Sequence, residues 1–203
     1  MENLKSKSKQ AYETTTSLSS VYEIKDLRQL FEEELKDMYW TETALIREIP
    51  IMITNATSDK LLKILSEHLD VTHEHIKRLE IVFNLIGKKV EGKKCSVMSG
   101  LILETNKIIN TTERGATRDA GIILMIQKIE HYGIATYGTM MSFAEEIGEN
   151  KVGHILYKTL IEQKRANDAL SLISIIINSD ASENDSKLLE NAKTQTLLKK
   201  EKV

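Results

Sequence analysis

Two polar residues, Glu130 and Tyr137, fall on the apolar stripe of one predicted helix, where side chains are expected to be buried. A buried carboxylate is costly unless it is paired, hydrogen-bonded or bound to a metal ion. The other predicted helices place further polar residues inward at about the same height: Glu42, His68, Gln163 and Asn167. Polar groups donated by four helices at one level predict a functional site inside the protein.

Glu42, His68 and Glu130 have the chemistry of a metal site, because two carboxylates and an imidazole can hold a divalent ion. We expect them to bind iron or another divalent metal such as Mn or Zn, with Tyr137 and Thr72 supporting these ligands from behind. No organic cofactor is expected. Further candidate ligands lie on or near the same stripes: Gln163, Asn167, Glu34, His75, Asp70, His73 and Glu162.

A metal-free interpretation stays open beside this one. Full di-iron bundles carry an inward Glu-x-x-His on two of their helices, and the layer has no such pair. Asp70 and His73 have the spacing, but Asp70 points away from the apolar stripe. Internal hydrogen bonds would instead make the layer a satisfied polar network, and the expected pairs are Glu130 with Tyr137 and Glu42 with His68.

Apolar residues recur at three- and four-residue steps, which predicts an all-α protein. The predicted long helices cover about residues 24–53, 59–86, 117–147 and 150–177, and a short helix covers about 95–110. Pro50 is expected to kink the first helix or to end it early. Ser58 is expected to cap the second helix through its side chain.

The connections between these helices predict their arrangement. Two connections are short, whereas about 30 residues separate the second long helix from the third. One long crossover between two hairpins is the ferritin-like four-helix bundle, and an up-down-up-down bundle is the alternative. We therefore expect a disordered tail over residues 1–20, a bundle over 21–178, and a polar tail or weak helix over 179–203.

The composition excludes several classes of function. The formal net charge of −2 gives no field that favours nucleic acid or an anionic membrane, and the longest apolar runs are too short to span a bilayer. The sequence contains no nucleophilic triad and no phosphate loop. Cys95 is the only cysteine, and the first residues carry no apolar signal segment, so we expect a reducing compartment, the cytoplasm.

The end of the fourth long helix is apolar on every side, with Leu172, Ile175 and Ile176 among its residues. Such a surface needs a second partner to cover it. We expect a homodimer. The alternative is that the C-terminal tail folds back over this surface.

Several motifs spread over about three quarters of the chain resemble the YciE/YciF family of ferritin-like bacterial stress proteins. The most specific stretch is Gln127-Lys128-Ile129-Glu130-His131-Tyr132, continued by Ala135-Thr136-Tyr137-Gly138-Thr139. The other matching segments are Asp37-Met38-Tyr39 with Glu42, His68-Leu69-Asp70 with Thr72, Arg118-Asp119-Ala120, Thr159-Leu160 with Glu162 and Lys164, and Cys95 with Met98-Ser99-Gly100-Leu101-Ile102.

The resemblance implies a ferritin-like four-helix fold, a dimer, and a dinuclear metal site with ferroxidase-type activity. The sequence departs from the family pattern at three positions. The family tends to carry carboxylates where Gln163 and Asn167 stand, and a Glu where Asp70 stands. The expected function is stress protection, with a metal site in the core that oxidises Fe(II). A non-enzymatic stress or interaction module with a metal-free polar network is the alternative.

Overall fold

The computed structural model of the protein describes the backbone of residues 23–200, with side chains as far as Glu183 and that of Ser186. The predicted N-terminal tail, residues 1–20, lies outside this range. The described residues are all-α, as predicted. They form five helices: α1 (Leu27–Asn55), α2 (Asp59–Leu85), α3 (Ser96–Thr111), α4 (Ala116–Glu146) and α5 (Asn150–Lys200).

The start of α2 is capped from a distance and not by its own N-cap residue. Ser58 holds the N-cap position as predicted, but its side chain accepts no hydrogen bond from the described residues. The buried Asp119 of α4 takes this role, because its carboxylate accepts from the Thr57 amide, the Ser58 amide and the Thr57 hydroxyl at 2.7–2.8 Å. Asp119 lies near the start of α4, so α2 and α4 begin at the same end of the molecule.

Two glycines make the sharp ends of α2 and α4. Gly87 and Gly148 have φ angles of +68° and +82°, which side chains with a Cβ rarely adopt. At each end the next residue donates back to the last turn: Lys88 to the Phe83 carbonyl and Glu149 to the Ala144 carbonyl. This Schellman arrangement satisfies carbonyls that the helix leaves free. The chain can therefore reverse from α4 into α5 within three residues.

The ends of α1 and α5 differ from the prediction. Pro50 lies inside α1, which continues to Asn55 and so does not end early. The fourth long helix was expected to end near Ile177, with a polar tail or weak helix after it, whereas α5 continues as one helix to Lys200. No proline or glycine follows Gly153 in the sequence, and strong helix formers such as Ala, Glu, Lys and Leu fill the tail.

The four long helices pack side by side, with α1 and α5 each contacting both α2 and α4, while α3 covers α4 and touches α1. Their buried apolar residues form two separate clusters. One lies at the end of the molecule that holds Met52, Leu61 and Ile122, and the other holds Phe31 and Phe83 at the opposite end. Each long helix therefore crosses from one cluster to the other. In residues 23–200 no helix is long and apolar enough to cross a membrane.

Candidate functional site

A layer of buried polar side chains separates the two apolar clusters. All four long helices contribute to it, and each contributes at the point where it passes between the clusters. We call this set the polar layer: Glu42 from α1, His68 and His75 from α2, Glu130 and Tyr137 from α4, and Gln163 from α5. The sequence prediction that polar groups of four helices meet in the core agrees with this arrangement.

His68 and Glu130 form the closest contact of the layer. The His68 Nδ1 atom lies 2.6 Å from Glu130 Oε1, and the two side chains are 5% and 0% exposed. The backbone of α2 is held here by Thr72, whose hydroxyl donates to the His68 carbonyl at 2.8 Å. Neither carboxylate oxygen of Glu130 makes a well-directed hydrogen bond with the described residues, and His68 Nε2 makes none either. Buried nitrogen and oxygen atoms of this pair are therefore left without a well-directed hydrogen bond in the described chain.

Gln163 approaches this pair because α4 has a glycine opposite it. A Cβ added at Gly133 would lie 2.8 Å from Gln163 Oε1, closer than real Cβ atoms come to other atoms. The amide thus occupies the space that a side chain at position 133 would fill. Gln163 Oε1 has no hydrogen-bond partner within the described chain, and neither has Oδ1 of the half-buried Asn167, one turn further along α5.

A continuous chain of polar contacts links the remaining residues of the layer to Glu162 and Arg78 at its edge. Tyr137 donates to Glu42 Oε1 at 2.7 Å, and His75 Nδ1 lies 3.3 Å from the same oxygen. On its other side the His75 ring contacts Glu162 through Nε2, at 3.1 Å. Arg78 completes this chain with a two-pronged ion pair to Glu162. We call these five residues the Arg78 chain.

The pKa values in the Arg78 chain follow from these contacts. Burial alone would lower the pKa of His75, but the carboxylates of Glu42 and Glu162 outweigh it and raise the pKa to about 9. The hydrogen bond from His75, supported by Arg78 and opposed by burial, lowers the pKa of Glu162 to about 2. Burial, with the nearby Glu42 carboxylate, raises the pKa of Tyr137 well above its usual value. Tyr137 therefore acts as a hydrogen-bond donor to Glu42.

One cavity of about 240 Å³ joins the two parts of the layer. Its polar wall contains His68, Glu130, Gln163, His75 and Glu162. Its remaining wall lies between α2 and α5 and is formed by Ile64, Glu67, Val71, Arg165, Ala166 and Ala169. Small alanine side chains on α5 leave this space open. The cavity is large enough for several water molecules or ions.

Some predicted ligands lie outside the layer. Asp70 and His73 are exposed, because they occupy positions of α2 that turn away from the buried His68, Thr72 and His75. Both are therefore removed from the candidate ligands. Glu34 is half-buried in a groove between α1 and α4 beside Thr136, away from the cavity, and burial and then Asp37 raise its pKa.

The predicted pairs inside the layer were also wrong. Glu130 contacts His68 and not Tyr137, while Glu42 contacts Tyr137 and His75. The sequence reasoning missed Arg78 altogether. Arg78 lies three residues after His75 and therefore on the same side of α2, and this spacing could have predicted that the two side chains lie close together.

The donor set is incomplete for a preformed metal centre. Among the described residues, no group of three or more His, Cys, Asp or Glu side chains is arranged to hold a metal ion. The unpartnered oxygen and nitrogen atoms of His68, Glu130 and Gln163 nevertheless have the chemistry of ligands for a divalent ion with mixed N and O preference. They fit one ion whose shell is completed by amide oxygens and water.

Comparison with known proteins identifies the family. The family described as "Domain of unknown function (DUF892)" matches residues 26–182. The chain belongs to this family, and the resemblance found in its motifs is confirmed. It is 35% identical over 153 residues to Protein YciF of Escherichia coli K12, which covers 75% of this chain and 92% of that protein.

Solved structures of relatives show the same fold. The crystal structure of the E. coli stress protein YciF matches with a TM-score of 0.74 at 34% identity, over 77% of this chain and 99% of that one. The YcfI protein of Rhodopseudomonas palustris matches with a TM-score of 0.72 at 34% identity, over 75% and 97% of the two chains. A Xanthomonas campestris protein shares only the fold, at 17% identity with a TM-score of 0.66, over 79% and 99% of the chains.

Proposed function

We propose that this protein is a ferritin-like four-helix protein whose polar layer binds a divalent metal such as iron, in a stress-protective role. The bundle assignment is supported by the direction of the helices. Asp119 ties the start of α4 to the start of α2, so these helices run the same way, as a long crossover requires. In an up-down-up-down bundle they would run in opposite directions.

The metal proposal rests on buried nitrogen and oxygen atoms that have no hydrogen-bond partner among the described residues and could bind a metal ion. Within the described chain these include His68 Nε2, both Glu130 oxygens, Gln163 Oε1 and one oxygen of Glu42. Buried polar atoms are nearly always satisfied, because an unmade hydrogen bond costs about 1–3 kcal/mol. A cation near His68 and Glu130 would satisfy several of these atoms together.

In this proposal Glu130 and His68 are the anionic and imidazole ligands. The free oxygen of Glu42 and the carbonyl oxygen of Gln163 complete the protein's donors, and Tyr137 holds Glu42 in place. If the bound ion is Fe(II), these residues would hold it while oxygen or peroxide, as the electron acceptor, oxidises it to Fe(III). The stress role rests on the similarity to the E. coli stress protein YciF.

Metal content tests the proposal directly. Tag-free protein purified without added metal is analysed for elemental content, and the stripped protein is titrated with Fe(II) and Mn(II) under anaerobic conditions. We expect binding that is weakened at least tenfold by Glu130→Gln. His73→Gln is the matched control, because this histidine is exposed on the same helix. Equal binding by both variants would refute the assignment.

The second candidate is a non-enzymatic stress or interaction module with a metal-free layer. The Arg78 chain favours it, because that chain is already compensated by its own arginine and histidine. A chelator separates the candidates. In the metal-free candidate, dialysis against EDTA leaves the melting temperature unchanged, whereas loss of a bound ion lowers it.

We also propose a homodimer that acts in the cytoplasm. Leu172, Ile175 and Ile176 form an exposed apolar strip on α5, with Leu172 and Ile175 at 70% and 69% exposure. A second copy would cover this strip. The single cysteine, Cys95, is a buried free thiol, which fits a reducing compartment.

A further inference from the structure

Both oxygens of the Glu162 carboxylate already make hydrogen bonds with other side chains of the protein. Arg78 Nη2 donates to Oε1 at 2.8 Å, and Nη1 donates to Oε2. The same Oε2 lies 3.1 Å from His75 Nε2. The guanidinium is also anchored by Thr159, whose hydroxyl oxygen lies 3.2 Å from Nη1. A two-pronged arginine–carboxylate pair of this kind is among the strongest in proteins.

His75 is engaged in the same way. Its Nδ1 faces Glu42 at 3.3 Å and its Nε2 faces Glu162 at 3.1 Å, so carboxylates occupy both nitrogens. Glu42 in turn receives the Tyr137 hydroxyl. In the Arg78 chain, Glu162 has no free oxygen, and Glu42 keeps one oxygen, Oε2, without a hydrogen-bond partner among the described residues.

The other half of the layer, around His68 and Glu130, contains more atoms without a hydrogen-bond partner in the described chain. Glu130, Gln163 and Asn167 together offer four oxygen atoms that have no hydrogen-bond partner among the described residues, and His68 adds one nitrogen. The free ligand atoms are therefore concentrated around the His68–Glu130 pair. Only a single carboxylate belongs to this half, because amides stand at positions 163 and 167.

The net charge of the side chains in the layer and in the Arg78 chain limits how many metal ions can bind there. Glu42, Glu130 and Glu162 bring three negative charges, and the guanidinium of Arg78 removes one. At most two negative charges remain, or one when His75 is protonated, so a single divalent ion is enough to balance them. A second divalent ion would leave a buried excess of positive charge, which is strongly unfavourable in a low-dielectric interior.

We infer that the polar layer binds one divalent ion per chain, at His68 and Glu130, and that Arg78 occupies the place of a second. This inference rests on the proposed metal site and concerns its stoichiometry. The dinuclear centre implied by the family resemblance does not fit this chain, because Arg78 holds the carboxylate that a second ion would require.

The test uses Co(II), whose visible absorption reports coordination inside the protein. Stripped, tag-free, full-length protein is titrated with Co(II), and the number bound per chain is counted by absorption and by elemental analysis. We expect one Co(II) per wild-type chain. Arg78→Met releases Glu162 toward the cavity, and the expected count rises to two.

Two controls isolate the role of Arg78. Arg165→Met removes an exposed arginine at the same cavity that holds no described carboxylate, so the count stays at one. In the double variant Arg78→Met with Glu162→Gln, the released carboxylate is gone, and the count returns to one. Circular dichroism confirms that each variant is helical.

The outcomes separate this inference from the proposed function. Two Co(II) ions in the wild type would overturn the inference and leave the metal site standing. No Co(II) in the wild type would overturn the metal site itself. A helical Arg78→Met variant that still binds one ion would overturn the role of Arg78. If that variant does not fold, the wild-type count alone decides.

Discussion

Gly133→Ala is a single-atom test of the site, because the new methyl group would enter the space of the Gln163 amide. The Cβ would lie 2.8 Å from Gln163 Oε1, 2.9 Å from Cδ and 3.0 Å from Nε2. Ordinary contact begins near 3.4 Å, so the amide must move by about 0.6 Å or change rotamer. Ligands need placement within about 0.5 Å. We expect metal affinity to fall about tenfold, or roughly 1.4 kcal/mol.

The same substitution has two opposing effects on stability. Replacing a glycine inside a helix by alanine stabilises by about 0.8–1 kcal/mol. Displacing a buried amide costs about 1–3 kcal/mol. The net change is therefore expected between zero and about 2 kcal/mol of destabilisation, although a helix former has been introduced.

Gly138→Ala is the matched control on the same helix. There the nearest atoms to the added Cβ are the Leu160 methyl carbons at 3.9 and 4.0 Å, which is ordinary contact. We expect it to raise the melting temperature by about 2–4 °C and to leave ion binding unchanged. Thermal unfolding by circular dichroism and Co(II) titration measure both quantities. If Gly133→Ala gave the same melting temperature and the same Co(II) binding as Gly138→Ala, the Gln163 amide would not lie against Gly133.

Three further changes have defined outcomes. Gln163→Glu with Asn167→Asp adds anionic ligands, so Fe(II) affinity and the rate of iron oxidation in stopped-flow measurements should rise. Asp119→Asn replaces one carboxylate oxygen, which accepts hydrogen bonds at the start of α2, by an amide nitrogen that cannot accept them. It should destabilise the protein by about 3 kcal/mol in urea unfolding. Ile176→Lys should convert the proposed dimer to a monomer in light scattering, because a charge would be buried in the proposed interface.

The helix-cap change and the dimer change each have a control. For the helix cap it is Ser58→Ala, which removes a hydroxyl that caps nothing among the described residues and should change stability by less than about 0.5 kcal/mol. Equal losses from the two cap variants would contradict the role of Asp119. For the dimer it is Leu103→Lys, on α3 at 72% exposure. A dimer that survives Ile176→Lys, or an unchanged iron oxidation rate, would refute the corresponding assignment.

The sequence predicted the helices and the inward residues because both follow from local spacing. Glu42, His68, Glu130 and Gln163 are buried as their positions on the apolar stripes indicated. Stripe positions define a direction and an approximate height, but not which side chains meet. The Glu42–Tyr137 and His68–Glu130 pairs depend on shifts between helices that are smaller than one turn, so spacing did not predict them.

Interactions between distant segments were not predictable from local patterns. Ser58 is a good N-cap by type, yet Asp119 supplies the cap from about 60 residues away. Arg78 was missed because a long cation near the edge of a stripe is normally assigned to solvent. The length of α5 was underestimated because a polar, helix-forming segment carries no apolar period.

The buried contacts of the polar layer mostly join one hairpin to the other, which bears on how the chain folds as it is made. The α1–α2 hairpin contributes Glu42, His68 and His75, while Glu130, Tyr137 and Glu162 come from the α4–α5 hairpin. When the first hairpin has been synthesised, His68 lacks Glu130 and the start of α2 lacks Asp119 until α4 follows, whereas His75 already has Glu42 beside it. A lone α1–α2 hairpin would therefore keep His68 and the start of α2 without their partners, and these polar contacts form only when the two hairpins meet.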